Sequence, residues 1–373
     1  MSLYVLDDYY PWLGTSFRIA EYNWYLRNIR DSFVFSAYRE YLPSRAAFEK
    51  AFPDLGWRVG HLVDLVGKPD FFYNIFIDNA FDYLGIYEAA SVPFAFTLYP
   101  GGGLHLNEPE ADAKLQRVGA SKLLTAIITT QTTSRDYILD KGYFPPEKVH
   151  FNFGGVADSE YFRKNYFPKK KYGQDKDTFD ICFVATRYDP RGAAKGYDVF
   201  LEVARNLVGL SPGIRFHIVG DTWWDVEDEI DISFLGDKVI DHGHQDTSFF
   251  PEFHSGMDMI LSPNKPFVHP KYPGAFDGFP TGCCVEAGMC GTAVLCTDLL
   301  DNNVVFEDGK DIRIIPYDVD GICDIVLSYY NNLDSLYGLG DNCRSSFLRV
   351  YDIDDQMSRR VELLGLDSYL QSK

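Results

Sequence analysis

This sequence predicts an α/β protein of two doubly wound domains in tandem, and three observations carry that prediction. The chain of 373 residues is too long for one ordinary core and fits two domains of normal size. In both halves, short apolar runs of strand length alternate with segments of helical period. That alternation predicts parallel sheets covered by helices on both faces. Near residue 165 the texture changes to a polar stretch with Pro and Gly punctuation, at 164–173. It reads as the interdomain linker, with its lysines solvated.

In the first half, residues 3–6 are a short apolar strand, followed by a loop at 11–16 and helical spacing over 17–29. Residues 33–36, 71–77, 93–98 and the β-branched run 126–130 read as further strands, with helices over 79–89 and 111–124. In the second half, 179–185 is a strand and 197–208 an amphipathic helix. The strand 215–219 ends in a turn at Gly220, and 257–261 is another strand. A helix runs over 286–289, the strand 293–296 follows, and 324–331 and 356–364 are helical. The domains are 1–165 and 166–350, with 351–373 a helical segment that is a candidate for crossing back to the first domain. Two such domains place a ligand in the cleft between them, at the carboxyl ends of the strands.

Composition excludes several classes. A net charge of −19 and a pI near 4.8 argue against a nucleic-acid binder, which needs a basic face for phosphates. They also argue against tight adsorption to anionic lipid, although peripheral membrane contact stays open. The second half carries most of the negative charge, so a phosphate bound there must be met by a few local cations. Aromatic residues make up 16%. Most read as core, while some Tyr and Trp rings suit the C–H faces of a pyranose. Seven cysteines, several in apolar runs (Cys182, Cys283, Cys284, Cys290, Cys296), read as buried reduced thiols of a cytoplasmic protein. No CxxC pair occurs, so no zinc site is expected. Neither a signal-peptide pattern nor an apolar run of membrane-spanning length is present.

The most informative window is 278–298: a Gly-rich loop, a helix opening, a Gly turn, then a buried strand. A helix N-terminus offers unpaired N–H groups and partial positive charge to a diphosphate. Glu286, just inside that helix, is placed to accept hydrogen bonds from vicinal hydroxyls such as a ribose carries. An ordinary helix start with an acid in its first turns explains the same residues.

The window resembles the signature of retaining GT-B glycosyltransferases, specifically glycosyltransferase family 4. Phe279, Glu286, Ala287, Gly291, Val294, Thr297 and Asp298 fall on its pattern. The resemblance implies the GT-B fold, two Rossmann-like domains facing across a cleft. It implies a nucleotide-diphosphate sugar, UDP- or GDP-linked, as donor. The acceptor would be a glycan, a lipid-linked sugar or a protein, as in polysaccharide biosynthesis, with retention of anomeric configuration. Glu286 would bind the donor ribose, and Asp277 would contact the transferred sugar, with amides near Thr281 and Gly282 facing sugar and phosphate. Asp277 lies one position further from Glu286 than in the family, and Pro280 replaces the usual Gly.

Upstream, Arg187 and Lys195-Gly196 resemble the family's Arg…Lys-Gly element, whose cations neutralise the departing diphosphate. The spacing is longer here, and Arg191 within the insertion could substitute for one partner. A plainer reading makes Arg187 and Lys195 surface charges. Gly243 and His244 sit where the family's backbone holds the base. In the first half, Gly14 matches the Gly that lets phosphates approach. Tyr99 stands where the family has a His, and 100–105 follows as Pro-Gly-Gly-Gly-Leu-His. Those glycines permit close backbone approach to a ligand, or form only a flexible turn. His105 is the replacement candidate for a sugar contact, unless it is structural.

The cationic pair makes a metal unnecessary, so no metal and no cofactor are expected. The DxD strings at 318–320 and 352–354 read as chance in an acidic chain, and the acidic run 225–231 as a solvated face. The GT-B architecture also hosts nucleotide-sugar epimerases and catalytically silent partner subunits, which remain the alternative. A dinucleotide oxidoreductase lacks its G-x-G-x-x-G after an early strand.

Overall fold

The computed structural model describes residues 1–210, 213–222 and 230–371, so most of the acidic run 225–231 lies outside the described residues. The chain divides into two compact units. Unit 1 is Met1–Asp158 together with the segment from Ile353, and unit 2 is Ser159–Asp352.

Unit 1 has strands β1 (Ser2–Asp7), β2 (Asp31–Ser36), β3 (Val59–His61), β4 (Phe71–Ile75), β5 (Phe94–Leu98), β6 (Leu124–Thr129) and β7 (Val149–Phe151). They form one parallel sheet in the order β3-β2-β1-β4-β5-β6-β7. Its helices are α1 (Ser16–Asn28), α2 (Tyr41–Ala51), α3 (Ile77–Asp82), α4 (Leu84–Ala90), α5 (Pro109–Gly119) and α6 (Thr132–Asp140). The single helix expected over 79–89 is two, parted at Tyr83. β4 and β5 are buried along their whole length. A strand covered on both faces must be apolar throughout, so these runs do not alternate.

Unit 2 has helices α7 (Ser159–Lys164), α8 (Tyr197–Leu207), α9 (Phe250–Gly256), α10 (Gly282–Met289), α11 (Val319–Tyr330) and α12 (Leu333–Val350). Its strands are β8 (Phe179–Val184), β9 (Ile214–Val219), β10 (Val239–Asp241), β11 (Met259–Ser262), β12 (Ala293–Cys296) and β13 (Arg313–Ile314). The order β10-β9-β8-β11-β12-β13 repeats that of unit 1 up to its last strand, and every pairing is parallel. The two units are thus Rossmann-like, each with a switch point beside its first strand.

The stretch 164–173 is mostly exposed, Lys164 and Lys170 included, but it is not solvated throughout. Lys169 is half-buried in unit 2 and donates from Nζ to the His254 carbonyl at 2.8 Å and to Thr292 Oγ1 at 3.1 Å. Lys170 N donates to the Ser255 carbonyl at 2.9 Å, and Tyr172 stacks on Tyr330. A lysine stem is long and apolar enough to bury, while its ammonium reaches the last carbonyls of α9, where a cation is favoured. Burial lowers the Lys169 pKa to about 8.

The last helix, α13 (Ile353–Leu364), belongs to unit 1. Met357, Val361 and Leu364 join its core. Arg360, fully buried, donates to Gln356 Oε1 at 2.5 Å, to the Gly154 carbonyl at 3.0 Å and to Tyr99 OH at 3.3 Å. Tyr99 and Tyr73 in turn donate to the buried carboxylate of Glu21. Burial raises the Glu21 pKa, against the charge of Arg360 and these two hydroxyls.

Candidate functional site

The loop after β8 begins the site. Arg187 is almost buried under the Tyr197 ring, its Cζ 4.5 Å from the centroid. Its Nε donates to Thr222 Oγ1 at 2.9 Å and its Nη2 to the Gly220 carbonyl at 3.2 Å. Its Nη1 is buried and has no hydrogen-bond partner among the described residues. A tight segment, Pro190–Lys195, follows. The buried Asp189 holds it by accepting from Ala194 N at 3.0 Å. Gly196 has φ 74°, and a Cβ there would stand 2.0 Å from the Pro263 carbonyl oxygen at the end of β11. Only a glycine lets the chain pass so close, and that passage brings Lys195 to the neighbouring strand end.

There Lys195 Nζ meets Asp277 Oδ1 at 2.7 Å, both side chains about one-fifth exposed. Asn264 Nδ2 donates to the other Asp277 oxygen at 2.9 Å. The Tyr188 hydroxyl donates to Asp277 at 3.4 Å, and its ring lies 5.0 Å from the Lys195 ammonium. Burial opposes the Lys195 charge, but Asp277 and Tyr188 outweigh it and raise the pKa above the usual lysine value. Asn264 is itself fixed: Ser262 Oγ donates to its Oδ1 at 2.6 Å and Thr297 Oγ1 to its carbonyl at 2.6 Å. Asp298 accepts from Asn302 N and Asn303 N, each at 2.9 Å, which sets the loop after β12. An open pocket beside this group is lined by Asn264, Lys265, Asp277, Phe279, Thr297 and Asp298, among others.

The opening of α10 borders the same group. Its N-cap residue Thr281 gives no side-chain cap to the helix. Its hydroxyl lies 3.2 Å from Ser262 Oγ and 3.1 Å from Cys283 Sγ. Gly282 is exposed, with open space where a Cβ would stand. The Cys283 thiol is within electrostatic reach of Lys195, so the cation and the helix opening are neighbours. Glu286 is half-buried one turn further along.

The structure thus brings Lys195, Asp277, Thr281 and Gly282 together where β8 and β11 part. Arg187 sits toward β9. Gly243, with φ 60°, donates its N–H to Asp241 and its carbonyl accepts from Gly220 N. His244, half-exposed, lies 3.6 Å from Asp221. Both follow β10. Arg191 is exposed on the Pro190–Lys195 segment. Asn264, Ser262 and Tyr188 escaped the sequence reading. The only signal for Ser262 and Asn264 was the Ser-Pro-Asn triplet closing the apolar strand β11, and Tyr188 had none.

Two candidates fall in unit 1. His105 lies 3.7 Å from Glu108 in a largely covered position. Gly14 is exposed in the β1–α1 loop, under the Trp12 ring. The glycines before His105 have packing work of their own. A Cβ at Gly102 would strike the Phe76 ring at 2.2 Å, and one at Gly103 would strike Asp78 at 2.0 Å. Tyr99, at the family's His position, is committed to the Glu21–Arg360 circuit.

The DxD acids hold structure. Asp318 caps α11 by accepting from Gly321 N, Asp352 pairs with Arg163 at 2.8 Å, and Asp354 accepts from Trp24 Nε1. Among the described residues, no group of three or more His, Cys, Asp or Glu side chains is arranged to hold a metal ion. All seven cysteines are free thiols, and no helix among the described residues is long and apolar enough to cross a membrane.

Residues 178–332 match the family described as glycosyl transferases group 1. No curated protein matches the chain. Several solved structures share its fold. Anabaena Alr3699/HepE in complex with UDP is 14% identical with a TM-score of 0.71, covering 98% of this chain and 100% of that one. Sucrose-phosphate synthase from Thermosynechococcus elongatus is 12% identical with a TM-score of 0.66, covering 97% and 98%. The N-terminal domain of trehalose-6-phosphate phosphatase from Candida albicans is 10% identical with a TM-score of 0.68, covering 98% and 96%. At such identities the likeness is one of fold. The chain has the two-domain α/β GT-B fold, and residues 178–332 of its second unit are similar to the group 1 glycosyl transferases.

Proposed function

We propose that the protein is a retaining glycosyltransferase that takes a sugar from a nucleoside diphosphate and passes it to an acceptor hydroxyl. The observation that carries this reading is the Lys195–Asp277–Asn264 group at the switch point of the matched domain, beside the uncapped opening of α10. Cation, helix amides and a fixed carboxylate are what a sugar pyrophosphate needs: two elements for the phosphates and one for the sugar hydroxyls. The Anabaena protein was crystallised with UDP and with UDP-glucose, which makes a UDP-sugar the first donor to test.

In this mechanism the bond between the anomeric carbon and the diphosphate oxygen breaks while the bond to the acceptor oxygen forms on the same face. The acceptor proton passes to the departing phosphate oxygen. Charge grows on that phosphate in the transition state, and Lys195 and Arg187 stabilise it there more than in the ground state. Before the donor arrives, Asp277 neutralises Lys195. On binding, the ammonium turns part of its hydrogen bonding to phosphate, and Asp277 keeps a partner in Asn264. Glu286 holds the ribose, and Gly243 and His244 border the base.

The test is a transfer and donor-hydrolysis assay with UDP-, GDP-, dTDP- and ADP-sugars, with the anomeric configuration of the product read by NMR. Turnover with one donor and a retained anomeric centre are expected. A protein that neither transfers nor hydrolyses any of them is not this enzyme. Conversion of a donor with no acceptor present would make it an epimerase.

A further inference from the structure

A polar chain in unit 2 runs from charged groups inside the fold to a turn at the carboxyl edge of its sheet. Lys176 Nζ bridges two acids, 2.5 Å from Asp180 Oδ2 and 2.6 Å from Asp258 Oδ2. The other Asp180 oxygen lies 2.9 Å from Nε2 of His217, on β9. His217 Nδ1 is 3.0 Å from His242 Nε2, with the two ring planes 12° apart. Asp180 and His217 are buried, whereas His242, the first residue after β10, is half-buried.

The charged end fixes the protons along the chain. Burial opposes the Asp180 charge, but the hydrogen bond from His217 and the charge of Lys176 outweigh it and hold the pKa down to about 2. An ionised carboxylate only accepts, so His217 donates from Nε2. A neutral imidazole accepts at its other nitrogen, so His242 donates from its own Nε2. The His242 ring is thereby held in one tautomer. Phe253 and Phe249 pack on it with centroids 5.2 Å and 5.6 Å away.

The backbone of the turn is tied as firmly. His242 N donates to the Ile218 carbonyl at 2.8 Å, and its carbonyl accepts from Gln245 Nε2 at 2.6 Å. Gly220 N donates to the Gly243 carbonyl at 2.8 Å, while the Gly220 carbonyl accepts from Arg187 Nη2. One residue thus joins this turn to a cation of the candidate site. Neighbouring strands stand about 4.8 Å apart, and β10 is two strands from β8, so the turn lies about 10 Å from the loop that carries Lys195. A ribose and its base bridge that span when their diphosphate is on Lys195. Core packing alone does not call for this chain, since apolar residues often replace buried charges at no loss of stability. Its open end is a shaped turn.

We propose that Asp180, His217 and His242 are positioning residues for the nucleoside of the donor, holding the turn 241–245 in the shape that receives the base. The inference rests on the proposed function. It adds that nucleoside and diphosphate are gripped by separate parts of unit 2.

The experiment is isothermal titration calorimetry on the full chain with inorganic pyrophosphate and with the tightest-bound of UDP, GDP, dTDP and ADP. Two variants separate the hydrogen bond from the ring. His242→Phe keeps an aromatic ring against Phe249 and Phe253 but donates nothing. His242→Gln loses the ring, and its amide donates in place of Nε2. His242→Phe should weaken the nucleotide at least tenfold and pyrophosphate less than twofold. His217→Leu, which breaks the chain one link earlier, should behave alike. His242→Gln should stay within threefold of the wild type for both ligands. Unchanged nucleotide affinity in His242→Phe overturns the proposal. So does a parallel loss of nucleotide and pyrophosphate, which marks a loosened domain. A loss in His242→Gln as large as in His242→Phe overturns it too, because ring packing would then be the cause. A wild type that binds neither nucleotide nor pyrophosphate contradicts the proposed function itself. One that binds pyrophosphate as tightly as every nucleotide contradicts this inference alone.

Discussion

Units 1 and 2 share a strand order but handle charge at their carboxyl edges in opposite ways. In unit 1, the buried acid Glu21 and the buried cation Arg360 are joined through Tyr99 into a closed circuit. Every member of that circuit is buried away from solvent, the one Arg360 nitrogen without a partner among the described residues included. In unit 2, the Lys195–Asp277 pair is reachable from solvent, and α10 opens uncapped beside it. Topology fixes where a ligand can sit, and the wiring of charges decides which unit can take an anion.

The closed circuit should be the costlier one to break. Arg360→Met leaves Glu21 buried without its cation and should destabilise the protein by about 3–5 kcal/mol in chemical denaturation. Adding Glu21→Gln should recover a large part. A loss under about 1 kcal/mol would show that the two charges are not coupled.

In the open unit the expected loss is of rate. Lys195→Ala should lower turnover by about 10²–10³-fold, roughly 3–4 kcal/mol, with an unchanged melting point. Wild-type turnover in that variant would remove Lys195 from the mechanism.

A smaller effect concerns the interior of unit 2. His254 is fully buried, and neither ring nitrogen has a partner among the described residues. Burial, helped by Lys169, lowers its pKa from 6.5 to about 3. The unfolded chain therefore takes up the proton first, and stability falls as pH drops from 6.5 toward 3. By pH 5 the loss from this group is about 2 kcal/mol. His254→Phe, which keeps the stacking on Phe250, should flatten that part of a stability–pH curve. An unchanged slope would mean that His254 is not the group responsible.

The smallest effect separates the two edges. Gly14→Ala should push the Trp12 ring aside. The UDP-induced thermal shift should stay the same. A lost UDP shift would instead place Gly14 at the phosphates.

Much of the fold was legible because strands buried on both faces are continuous apolar runs, as in 71–75 and 94–98. The helix α12 was not. Its residues were given no element from the sequence, and a Cβ at its Gly340 would stand 2.6 Å from the Gly291 carbonyl oxygen. The glycine is there so that α12 can lie against that turn. Among the lysines of 164–173, Lys169 was misread for a related reason: polarity along the chain does not reveal which ammonium reaches a helix end. Within the site, Lys195-Gly196 and Asp277 could be found because they fall on, or one position from, motifs that resemble the family's. Asn264 could not, since its role depends on the crossing of Gly196 past Pro263, which no local pattern records.

The most direct measurement is the thermal shift produced by UDP in the wild type and in Lys195→Ala. At a hundredfold excess over the dissociation constant, a bound nucleotide adds about 2.7 kcal/mol of stability. The wild-type melting point should rise accordingly, and the rise should vanish or shrink strongly in Lys195→Ala while persisting in Trp12→Ala. An equal rise in Lys195→Ala would mean that the diphosphate is held somewhere other than the edge where β8 and β11 part.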